Sequence, residues 1–68
     1  MTLREKARSA RIKALAEETL GSRQKAARWL SAPNRALDGK SPERILETSE
    51  GAHRVRDLLR RISHGVFS

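Results

Sequence analysis

Sixty-eight residues make one domain at most, and a chain this short buries only about 60% of its unfolded surface. The absence of cysteine excludes disulfides and thiolate-bound metals as staples. The formal net charge is +7, and residues 21–40 hold +4 of it (five basic side chains, one acidic), which suits nucleic acid, an anionic surface or an acidic protein.

A first helix is expected over Leu3–Leu20, with Ile12, Leu15, Ala16, Thr19 and Leu20 on one continuous face. Ahead of Ile12 the apolar content thins, and Arg4, Arg8 and Arg11 form a basic stripe, so this half is expected to fray or to order on a partner. Gly21 ends the helix and Ser22 can cap a second, Arg23–Ser31, which offers Ala26, Ala27 and Leu30 inward. Pro33 forces Ala32 to extend and so stops it. Asn34–Gly39 reads as a short turn or a single helical turn. Ser41-Pro42 starts a third helix, expected to end near Glu47 with Ile45 and Leu46 inward.

Thr48 or Ser49 can cap the last helix, and Glu50 suits its first turn. Ala52, Val55, Leu59, Ile62 and Val66 recur at steps of three or four, Leu58 broadens the stripe, and Gly65 is expected to close the helix. No strand-like alternation occurs. The fold class is all-α, a compact bundle of about four helices. No apolar run nears the ~18 residues of a membrane span, and the N-terminus lacks a signal-peptide core, so a cytoplasmic location and no membrane partner are expected.

Catalytic patterns are missing. There is no cysteine nucleophile and neither Ser-His-Asp nor HExxH spacing, and no enzyme, cofactor or metal site is expected. His53 and His64 share a helix face, but eleven residues separate them by roughly 16 Å, too far to hold one ion. Helix-turn-helix reading of DNA fits poorly, because the candidate recognition helices begin with Glu43 or Glu50, which phosphate repels. Unspecific phosphate attraction through Arg4, Lys6, Arg8, Arg11 and Lys13 stays open.

Trp29 suits either the core or a half-buried interface. Arg28 and Arg35 are either solvated or aimed, and Arg35 follows Pro33-Asn34 in a turn that could point its guanidinium at a carboxylate or phosphate. Val66 and Phe67 either fold back on the helix end or dock in another protein.

The stretches Gly21-Ser22-Arg23-Gln24-Lys25-Ala26-Ala27-Arg28-Trp29-Leu30, Pro33-Asn34-Arg35-Ala36-Leu37-Asp38-Gly39, Ser41-Pro42, Thr48, Glu50-Gly51-Ala52 and Ile62-Ser63-His64-Gly65-Val66-Phe67 closely resemble the toxin-binding domain of Xre/MbcA/ParS antitoxins. The resemblance runs ungapped over residues 14–68, leaving 1–13 as a basic helical extension. It implies an all-helical domain from a bacterial type II toxin–antitoxin module, partnered by a RES-domain toxin that consumes NAD+, whose active site the domain obstructs. On this resemblance Arg28, Trp29, Asn34, Arg35, His64, Gly65, Val66 and Phe67 are expected to face the toxin. Family members usually carry a DNA-binding helix-turn-helix ahead of this domain; only about twenty residues precede the first of these stretches here, so DNA binding, autoregulation and the family's usual dimerisation are not expected. The runner-up is a small basic nucleic-acid-binding protein, and the third reading a homo-oligomerising scaffold.

Overall fold

Thr2 opens the first helix through a reciprocal cap. Its Oγ1 accepts from the Glu5 N–H at 3.2 Å, and the Glu5 carboxylate accepts from the Thr2 N–H at 3.4 Å. This is a computed structural model, and it describes residues 2–66. Helix α1 then runs unbroken over Leu3–Leu20, including the half whose sequence suggested fraying.

Gly21 (φ 85°) adopts the left-handed conformation that ends α1, its N–H donating to the Glu17 carbonyl at 2.9 Å. Ser22 caps α2 (Arg23–Ser31), its hydroxyl accepting from the Lys25 N–H at 3.0 Å. Ala32, extended at ψ 145° before Pro33, stops α2 as expected. A single 3-10 turn covers Arg35–Leu37, α3 covers Pro42–Ile45, and α4 covers Ser49–Val66. Thr48 is the cap of α4: its Oγ1 accepts from the Gly51 N–H at 3.0 Å. The chain is all-α, with no strand among the described residues.

α1 packs against both α4 and α2, while α3 bridges α2 and α4. The core draws on every element: Ile12 and Ala16 from α1, Ala26 and Leu30 from α2, Leu37 from the 3-10 turn, Leu46, and Ala52, Val55 and Leu59 from α4. Leu15, Leu20, Trp29, Ile45 and Leu58 pack on it at its edge.

Three expectations need correction. Ala27 is exposed, because the narrow interior face of α2 is filled by Ala26 and Leu30. The third helix ends at Ile45, not near Glu47, and the chain turns at once so that Leu46 enters the core, 2% exposed. Gly65 does not close the last helix, which continues to Val66.

Gly51 has a packing role that its sequence position did not announce. A Cβ there would collide with the Ile45 carbonyl and press on Thr48 Oγ1 at 3.0 Å, so glycine lets the end of α3 lie directly on the first turn of α4. Arg8 ties the other long helix to the same place. Its Nη1 donates to Ser49 Oγ at 3.3 Å and its Nη2 to the Glu47 carbonyl at 3.4 Å, while Nε is buried without a partner.

Candidate functional site

Asn34 closes the loop that carries the predicted site. Its N–H donates to the Lys40 carbonyl at 3.1 Å, and its own carbonyl accepts from Leu37 at 3.0 Å and Gly39 at 2.9 Å. Its side-chain Oδ1 accepts from the Ala36 N–H at 3.0 Å, capping the 3-10 turn. Asp38 (φ 59°) and Gly39 (φ 82°) take the left-handed conformations that bring the chain back, a geometry aspartate tolerates better than most residues. Leu37, 2% exposed, anchors the loop in the core.

Arg54 of α4 holds the loop from outside. Its Nη2 donates to the Ala36 carbonyl at 3.3 Å and stands 3.8 Å from Asp38 Oδ2. Both side chains are largely solvated, so the pair adds at most about 1 kcal/mol. A shallow groove lined by Ala36, Leu37, Arg54, Asp57, Leu58 and Arg61 separates the loop from α4.

The sequence-predicted residues fall in two groups. Trp29 is half-buried and packed against the core. Arg28 and Arg35 are exposed, and neither guanidinium is engaged by another of the described residues. Asn34, half-buried, makes its hydrogen bonds within the loop, and these hold Arg35 and its neighbours in place. The second group sits at the far end of α4, where His64 and Gly65 are exposed. His64 lies ten residues beyond Arg54, roughly 15 Å along the helix. Arg61 lines the groove whereas His64 and Gly65 do not, so loop and helix end are not one contact cluster. Phe67 and the side chain of Val66 lie outside the described residues.

The N-terminal basic set does not form one surface. At about 100° per residue, Arg4, Arg8 and Arg11 share one side of α1, with Lys6 and Lys13 on the opposite side. Arg8 is half-buried and committed to the start of α4, while Arg4, Lys6, Arg11 and Lys13 are exposed. Among the described residues no group of three or more His, Asp or Glu side chains could hold a metal ion, and no helix is long and apolar enough to cross a membrane. What the sequence reading missed is Arg54, whose contact with a carbonyl 18 residues away has no local signature.

Comparison with known proteins bears on the loop and α4 together. Residues 15–65 match the family model described as the antitoxin Xre/MbcA/ParS C-terminal toxin-binding domain. The chain is 48% identical over 48 residues to Antitoxin Xre of Yersinia enterocolitica, an alignment covering 71% of this chain and 32% of the relative. It is 41% identical over 58 residues to Antitoxin Xre of Pseudomonas putida, covering 85% and 36%. Antitoxin Xre of Photorhabdus laumondii is 44% identical over 48 residues, covering 71% and 32%. The chain thus spans about a third of the length of these relatives. No solved structure matches it. With the family model covering well over half of its residues, the chain belongs to the Xre/MbcA/ParS antitoxin C-terminal toxin-binding domain family.

Proposed function

We propose that this domain binds and neutralises a protein toxin, a RES-domain enzyme that consumes NAD+, by covering the mouth of its active site. The observation that carries the reading is the Asn34–Lys40 loop: closed by its own backbone bonds, pinned by Leu37 and Arg54, and presenting Arg35 with its guanidinium unengaged. A loop already fixed in shape loses little conformational entropy on docking, which leaves more of the contact energy as affinity. Family membership and the name Antitoxin Xre borne by its relatives support the same direction.

In this reading the chain performs no chemistry. Arg35 and Arg28 pair with carboxylates on the rim of the toxin's pocket, a match for the planar, always-charged guanidinium. Trp29 supplies the large, partly apolar contact that such interfaces favour at their centre. His64 and Gly65, exposed near the end of α4, extend the covered area, and the resemblance adds Val66 and Phe67 to the toxin-facing set. NAD+ is then excluded by bulk, and its own charge need not be imitated.

The test is co-expression with the cognate toxin while cellular NAD+ is followed. The intact chain is expected to keep NAD+ at its level without toxin. Arg35→Glu should let NAD+ fall although the variant folds normally. Undiminished NAD+ loss in the presence of the intact, folded chain would sink the reading.

A further inference from the structure

A second surface lies away from the loop, between α1 and α4. The two helices leave a groove of about 500 Å³, floored by Ile12, Leu15 and Ala52 and edged by Arg11 and Arg56, with Glu18 the one acidic side chain along it. Leu15 remains half-exposed at its edge although it sits on the core. We propose that this groove docks an acidic amphipathic segment of a partner protein, its aliphatic side chains on the floor and its carboxylates against Arg11 and Arg56.

The charges and the floor together select that occupant. A volume of about 500 Å³ lies in the range that accommodates several side chains. A single ion would leave the apolar floor wet. Single-stranded nucleic acid wants large aromatic platforms on which successive bases stack, and no Trp, Tyr or Phe lines this groove, where the His53 imidazole is the one ring. A second copy of the chain would bring a net charge of +7 against the same sign. An acidic segment with a leucine-type stripe satisfies both the cationic edges and the aliphatic floor.

The test uses a fluorescein-labelled amphipathic peptide with leucines at i, i+3, i+4 and i+7 and glutamates elsewhere, with a sequence-scrambled peptide of the same composition as control. Anisotropy should report saturable binding of the first peptide and binding weaker by about tenfold or more for the scramble, equivalent to ~1.4 kcal/mol. The Arg11→Ala/Arg56→Ala double variant should lose about tenfold in affinity with an unchanged helical circular-dichroism spectrum and melting temperature. Arg35→Glu should bind the peptide as the parent chain does. Equal binding of the scrambled peptide, equal binding by the double variant, or no binding by the parent each overturns the proposal. So does a concentration-dependent rise in mass that the double variant abolishes, which would make the occupant a second copy, and so does displacement by a single-stranded oligonucleotide at matched charge. The assay contains no toxin, so its failure leaves the reading of the Asn34–Lys40 loop untouched.

Discussion

Gly51 lies so close to the Ile45 carbonyl that no side chain fits between the end of α3 and the first turn of α4. The contact sets how tightly the short third helix seats against the long fourth, and with it the position of Leu46 in the core. Gly51→Ala should therefore destabilise the domain by about 1–3 kcal/mol, since the obstruction is backbone and cannot swing aside. Gly65→Ala is the matched control, because a Cβ there meets nothing within 4 Å, and alanine is the better helix former by about 1 kcal/mol. Thermal unfolding of the two variants should move in opposite directions or leave Gly65→Ala unchanged. A Gly51→Ala variant that melts with the parent would contradict the packing described.

Arg54 contributes to loop order more than to global stability. Its bond to the Ala36 carbonyl and its proximity to Asp38 are both solvent-accessible, so Arg54→Ala should cost only about 1 kcal/mol. Its local effect should be larger. Amide exchange at Leu37, Gly39 and Lys40, whose N–H groups close the loop, should accelerate while amides in α1 keep their protection. Uniform acceleration along the chain would mean that Arg54 acts on the whole fold.

Arg8 docks the N-terminal half of α1 onto the start of α4. Without it that half keeps only its own helical bonds, since Leu3 is 85% exposed and Ala7 and Ala10 are exposed. Arg8→Ala should speed amide exchange over residues 4–11 and lower stability by about 1 kcal/mol. Retained protection in that segment would show that the capping box of Thr2 and Glu5 suffices to hold it.

Binding and stability should separate at the proposed toxin-facing residues. Arg35 is exposed and engages no side chain, so Arg35→Ala should shift stability by less than about 0.5 kcal/mol while weakening toxin capture. Trp29→Ala should cost both, because the ring also packs on the core. Removal of Val66–Ser68 should weaken toxin neutralisation more than it lowers the melting temperature. Equal losses in the two would assign the tail to the fold.

The helix boundaries were legible in the sequence wherever a local device sets them. Gly21 ends α1, Ser22 starts α2, and Pro33 and Pro42 stop and start helices, because each acts through its own dihedral angles or through a bond three residues away. The 3.6-residue periodicity likewise gave most of the core, from Ile12 to Leu59. The end of α3, the exposure of Ala27, the hold of Arg8 on Ser49 and of Arg54 on Ala36, and the closeness of Gly51 to Ile45 were not legible. Each depends on which helix lies beside which, and pairs 39 or 41 residues apart, such as Arg8 with Glu47 and Ser49, leave no periodic trace. Local backbone chemistry is written in neighbouring residues, whereas the surface a partner meets is decided only when α1 and α4 pack and the loop is fastened to them.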